Sequence, residues 1–164
     1  MSIWRISEGK SGHAPAYNEQ YGDRAVSRSH VYSVEVQWGD CDAAGIVYFP
    51  NFCRWMDAAA HQFFLACGLP QWRELERTRG ILGIPMIELA TRFHNPAAYG
   101  DRLDIHTHVA EWRRKVFVLQ HRVQRGDTLI CEGREVRAFC AHAGQSPPKM
   151  RAVEVPADIR ALCE

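Results

Sequence analysis

The sequence predicts an α+β domain in which a curved antiparallel β-sheet wraps one long central helix. Three features point there. One helical segment in the first half is apolar almost all the way round, several later segments alternate with period two, and nothing repeats or alternates strand with helix as a parallel sheet would. A chain of 164 residues suits one domain with a real core.

Residues 1–28 mix Ser, Gly, Glu, Lys and Tyr without an apolar pattern and are expected to be a poorly ordered extension; the domain occupies 29–164. Residues 1–24 lack the apolar region of a secretory signal. Over 31–38, Tyr32, Val34, Val36 and Trp38 alternate with Ser33, Glu35 and Gln37, which predicts a strand with one buried face. A loop rich in Gly, Asp and Ala then runs to Pro50-Asn51. The spacing predicts a helix over 51–66, with Pro near its first turn and Gly68 just past its last. Phe52, Trp55, Ala59, Phe63 and Cys67 (or Ala66) mark one face. Met56, Ala60 and Phe64 extend it so far round that the helix must be buried on several sides.

Strands are expected over 84–93, with Pro85 near the start where a strand tolerates it, and over 103–110, where Leu103, Ile105, Thr107 and Val109 alternate with Asp104, His106, His108 and Ala110. Two more follow over 116–123 and 128–141, joined by the turn Arg125-Gly126-Asp127. A short helix closes the chain over 157–163 after Pro156. One sheet of this size leaves an outer face and edges to cover, which predicts a homo-oligomer.

Composition narrows the function classes. The net charge of +1 gives no electrostatic reason to expect nucleic acid or a membrane surface as partner. No apolar run approaches the roughly 18 residues of a membrane span. The six cysteines form no Cys-x-x-Cys pair, and several sit inside hydrophobic patterns, so they read as reduced core thiols of a cytoplasmic protein. His106 and His108 share a strand face without a third ligand, so no metal is expected. No Gly-x-Ser-x-Gly elbow signals a serine hydrolase.

The loop before the long helix holds Asp40 and Asp42 between Gly39 and Gly45. A helix N-terminus presents unpaired N–H groups and the positive end of a dipole, where a carbonyl oxygen would be polarised. A carboxylate nearby could attack that carbonyl or activate water beside it. Gly45 would let backbone approach a ligand closely. Spacing alone favours reading both aspartates as turn formers and helix caps.

The run Gly39-Asp40-Cys41-Asp42-Ala43-Ala44-Gly45-Ile46-Val47-Tyr48-Phe49-Pro50-Asn51-Phe52, followed by Arg54-Trp55-Met56-Asp57, closely resembles the hotdog-fold 4-hydroxybenzoyl-CoA thioesterase family. The resemblance continues through Cys67-Gly68-Leu69-Pro70, Glu111-Trp112-Arg113-Arg114-Lys115 and Ala152 to Ala157. It implies a hotdog fold and hydrolysis of an aromatic acyl-CoA to CoA and a carboxylate, with no cofactor and with a dimer of dimers as the assembly. It also implies that Asp42 is the catalytic carboxylate, as nucleophile or as general base, and that the Phe49 backbone N–H donates to the thioester oxygen. Asp57 would meet a ring hydroxyl of the acyl group, and Arg113, Arg114 and Lys115 the phosphates of CoA. The family's usual Pro after the catalytic Asp is Ala43 here, which frees the loop slightly, and Cys53 replaces a residue that is often His.

On residue statistics, Asp57 reads as well as an intrahelical partner of Arg54 or His61, and Arg113 to Lys115 as a solvated charge run at the head of a strand. Two alternatives stand beside the main reading: a short-chain aliphatic or unsubstituted benzoyl-CoA thioesterase, and a non-hydrolytic acyl-CoA-binding hotdog protein.

Overall fold

In a computed structural model, the structure describes residues 28–143 and 150–164. The expected N-terminal extension, 1–28, lies outside the described residues except for its last position. The chain forms β1 (Ser29–Glu35), a 3-10 turn (Trp38–Asp40), α1 (Pro50–Ala66), α2 (Trp72–Arg79), β2 (Ile81–Gly83) and β3 (Met86–Phe93). Then come β4 (Arg102–Trp112), β5 (Val116–Arg125), β6 (Thr128–Ala138), β7 (Cys140–His142), β8 (Met150–Ala152) and α3 (Ala157–Cys163). The main sheet runs β1-β4-β5-β6-β3, antiparallel throughout, and a small sheet runs β2-β7-β8. Register shifts in the β4–β5, β5–β6 and β3–β6 pairs bend the strands locally.

The alternation in the strands becomes an inner and an outer face. Leu103, Ile105, Thr107 and Val109 of β4 are buried, while His106 and His108 between them are half-exposed. Helix α1 lies against the inner face and buries Phe52, Trp55, Met56, Ala59, Ala60, Phe63 and Phe64. The apolar groups fall into two clusters. One gathers Phe63 and Phe64 with Phe117, Leu119, Phe139 and Val109; the other gathers Phe52, Trp55 and Met56 with Leu103, Ile105, Val123 and Ile130. Gly133 on β6 faces the helix where Met56 packs, and a Cβ there would clash with Met56 Sδ. This is the hotdog arrangement that the resemblance implies.

Three local expectations need correction. Trp38 does not continue the face of Tyr32, Val34 and Val36: β1 ends at Glu35, and Trp38 opens the 3-10 turn with 79% of its surface exposed. The strand expected over 128–141 breaks at Phe139, where the main sheet hands over to the small one. Apolar periodicity does not predict α2, which fully buries only Leu75, packs Trp72 partly against the core and is otherwise charged or polar. Its end was nevertheless written in the sequence: Gly80 caps it at φ +66°. Arg79 then makes a two-bond pair with Asp158 at 2.7 and 2.9 Å, tying α2 to α3 and holding the Asp158 carboxyl below its ordinary pKa.

All six cysteines are free thiols, and four of them are buried. No helix among the described residues is long and apolar enough to cross a membrane.

Candidate active site

The segment between the 3-10 turn and α1 is a tight hairpin. Cys41 bridges Val47, the Asp42 N–H donates to the Ile46 carbonyl at 2.8 Å, and the Gly45 N–H donates back to the Asp42 carbonyl at 2.9 Å. Gly45 turns at φ +77°, a conformation that side chains with a Cβ disfavour. Val47 N–H donates to the Ala97 carbonyl at 2.8 Å, which anchors the hairpin to the segment leading into β4.

The two aspartates part company here. Asp40 is committed to structure: its carboxylate accepts from Gln37 N–H and from Arg54 Nη2, both at 2.9 Å, and its carbonyl accepts from Tyr48 N–H and Asn51 Nδ2. It is the turn former that spacing suggested. The Asp42 Oδ1 accepts from Ala44 N–H at 2.8 Å, which fixes the side chain's direction. Its Oδ2 accepts from no described group, and the residue is exposed. Asp42 borders an open cavity of about 320 Å³ lined also by Trp38, Cys41, Ala43, Gly45 and Tyr99. Trp38 and Tyr99 meet edge to face, with ring centroids 5.8 Å apart, and form its aromatic wall. Trp38 opens the segment that the sequence marks as the site, whereas nothing in the sequence singles out Tyr99, which comes from the loop before β4.

The helix start leaves one amide open. Asn51 N–H bonds the Tyr48 carbonyl, Phe52 N–H bonds the Phe49 carbonyl, and Pro50 has no N–H. The Phe49 N–H donates to no described group, and it stands at the positive end of the helix dipole. A carboxylate with an open oxygen on the hairpin and, seven residues on, an amide with an open hydrogen at the helix N-cap supply the groups that acyl transfer uses: attack or base function from one, oxyanion stabilisation from the other.

Asp57 is 64% exposed at its side chain and bonds Arg137 Nη2 at 2.6 Å, so its partner is neither Arg54 nor His61. Arg137 lies within a buried polar row. Its Nε donates to Glu135 at 2.6 Å and its Nη1 to the Ile84 carbonyl at 3.2 Å. Glu135 in turn lies 3.4 Å from His121 Nε2, and His121 Nδ1 pairs with Thr107 Oγ1 at 2.9 Å. Thr107, His121 and Gly133 are register partners across β4, β5 and β6, so the row crosses the inner face of the sheet beneath α1 and separates the two apolar clusters. Burial pushes the Glu135 carboxyl up, yet His121 and Arg137 together hold it below its ordinary value. Burial likewise works against the Arg137 charge, and Glu135 and Asp57 more than restore it. His121, which statistics class with ordinary strand polar residues, is buried, as are Glu135 and Arg137. The signal existed: strand alternation sets Cys131, Gly133, Glu135 and Arg137 on the core face, where two charges break the apolar pattern.

Arg113, Arg114 and Lys115 do not head a strand. They form the turn between β4 and β5, closed by Arg113 N–H to the Val116 carbonyl at 2.9 Å, so strand alternation does not sort them onto faces. All three are exposed; Arg113 bonds Glu111 twice at 2.8 Å, and Arg114 bonds Glu154 at 2.8 Å. Among the described residues no group of His, Cys, Asp and Glu is arranged to hold a metal ion.

Residues 36–162 match the family model described as the thioesterase-like superfamily. The chain is similar to the 4-hydroxybenzoyl-CoA thioesterase of Pseudomonas sp. (strain CBS-3), at 44% identity over 143 residues, covering 84% of this chain and 99% of that protein. Among solved structures it resembles a mutant 4-hydroxybenzoyl CoA thioesterase complexed with 4-hydroxybenzoyl CoA, with a TM-score of 0.80, 43% identity and coverage of 84% and 100%. It also resembles a gentisyl-coenzyme A thioesterase, with a TM-score of 0.68, 33% identity and coverage of 82% and 98%.

Proposed function

The chain belongs to the thioesterase-like superfamily, and from that membership we propose that it hydrolyses an aromatic acyl-CoA of the 4-hydroxybenzoyl type to CoA and the free carboxylate. The observation that carries the reading is the open Asp42 carboxylate oxygen at the cavity, with the open Phe49 amide at the start of the helix that its hairpin leads into. The thioester oxygen accepts from Phe49 N–H, and the helix dipole stabilises the negative charge that grows on it. Asp42 then acts in one of two ways. As nucleophile it bonds to the carbonyl carbon, the C–S bond breaks, CoA leaves as thiolate, and water cleaves the resulting anhydride. As general base it takes a proton from water that attacks the same carbon, and the proton passes to the departing sulfur. Gly45 keeps the backbone low beside the reacting group.

Asp57 supports selection of a ring hydroxyl, because its carboxylate is exposed and accepts from phenols. The exposed turn Arg113-Arg114-Lys115 supports binding of the CoA phosphates, since guanidinium groups match phosphate oxygens in pairs. Edge strand β3 carries exposed Met86, Ile87 and Phe93, which supports a homo-oligomer, here taken as a dimer of dimers acting in the cytoplasm.

Release of free thiol from a panel of acyl-CoAs tests the reading. The wild type is expected to turn over 4-hydroxybenzoyl-CoA. Asp42→Ala and Asp42→Asn are expected to lower kcat by about a hundredfold or more, the range of a lost acid–base or nucleophilic group. A pure, folded wild type that cleaves no thioester refutes it.

A further inference from the structure

Within the reading of Asp57 given above, on which this inference rests, we propose that Arg137 is a positioning residue for acyl-group selection. It holds the Asp57 carboxylate with one oxygen bound and the other open, aimed at a proton donor on the ring. The anchoring is unusual for an exposed carboxylate. Arg137 is only 5% exposed and is gripped at separate nitrogens by Glu135 at 2.6 Å and by the Ile84 carbonyl at 3.2 Å. Its remaining donor, Nη2, reaches out of the core to Asp57 Oδ1 at 2.6 Å. The planar guanidinium cannot turn away from Asp57 without straining or losing the other two bonds, so the orientation of the interior row passes to the surface carboxylate.

A merely structural role does not account for this arrangement. Glu135 by itself would suffice as a counter-charge for Arg137 without Asp57, and apolar residues would fill the gap between the two clusters at no greater cost than a buried ion pair. The charged row is placed where it meets the one carboxylate on the exposed side of α1. A carboxylate held in this way accepts a hydrogen bond from a hydroxyl or amino group, gains nothing from a ring hydrogen, and finds no donor on an O-methyl group. Left to itself on the helix surface, Asp57 would rotate freely and stay hydrated, and its discrimination would fade.

The test compares kcat/KM for 4-hydroxybenzoyl-CoA, benzoyl-CoA and 4-methoxybenzoyl-CoA in the wild type, Asp57→Ala, Arg137→Met, Arg137→Lys and the double variant Asp57→Ala/Arg137→Met. The wild type is expected to favour the hydroxylated ester by roughly tenfold to a hundredfold, the worth of one hydrogen bond to a charged group. Arg137→Met is expected to lose most of that preference. Arg137→Lys, which keeps the charge without the fork, is expected to keep an intermediate share. The double variant is expected to discriminate no worse than Asp57→Ala alone, because both changes remove the same interaction. If Arg137→Met does not fold, Arg137→Lys with and without Asp57→Ala makes the same comparison. Arg137 variants that slow all three esters equally, or that keep the wild-type ratio while Asp57→Ala loses it, overturn this inference alone. A wild type that turns over the esters without discriminating overturns the reading of Asp57 together with it.

Discussion

Replacing Glu135 by Ala is expected to be among the most damaging single changes in the core. Glu135 is fully buried, accepts from Arg137 Nε at 2.6 Å and lies 3.4 Å from His121. Its removal leaves the Arg137 guanidinium in the interior with only the Ile84 carbonyl and the outlying Asp57. Breaking a buried pair from one side costs about 3–5 kcal/mol, because the surviving guanidinium keeps only the exposed Asp57 as a counter-charge. In a chain of this length that lowers Tm by roughly 6–20 °C. Glu135→Gln keeps the volume and one acceptor and is expected to cost less, about 1.5–3 kcal/mol. Urea unfolding followed by circular dichroism measures both, at one fixed protein concentration because an oligomer makes apparent stability concentration-dependent. The pH dependence has a definite sign. The Glu135 carboxyl sits below its ordinary value in the fold, so its contribution is fully present above the unfolded carboxyl's pKa and is lost as pH falls through the folded one. Wild type is therefore expected to lose stability on acidification more steeply than Glu135→Gln. A cost below about 1 kcal/mol for Glu135→Ala, the size of an exposed pair, refutes the buried-charge argument.

Two further outcomes follow from glycines. Gly45→Ala meets no atom within 4 Å, so its cost is purely conformational, about 1–2 kcal/mol for a left-handed residue. It is expected to lower both the urea midpoint and the rate of thiol release, and an unchanged rate removes Gly45 from the site. Gly133→Ala drives a Cβ into Met56 Sδ and is expected to cost about 1–3 kcal/mol. Combining it with Met56→Ala is expected to cost less than the sum of the two single changes, and strict additivity in urea unfolding excludes the clash.

Much of the framework was legible before any coordinates. Helix α1 begins one residue earlier than its periodicity predicts, α3 spans the predicted range, β4 follows its alternation, and β5 and β6 form where strands are expected, with β6 ending three residues early. These elements are decided by local repeats of apolar residues, which chain geometry converts directly into buried faces. The loop that carries two aspartates into a helix N-terminus was legible from its glycines, aspartates and Pro50, whereas the roles of Asp42 and of the Phe49 amide were implied by the family resemblance and not by local pattern. Local pattern did not separate Asp40 from Asp42, because both are aspartates in a turn. Only the tertiary structure spends Asp40 on Gln37, Asn51, Tyr48 and Arg54 and leaves an oxygen of Asp42 open. It alone joins Asp57 to Arg137, 80 residues away, and stacks Thr107, His121 and Glu135 behind them. A charge's partner depends on which strands lie side by side, and strand order is set by the packing of the whole core rather than by any stretch of sequence.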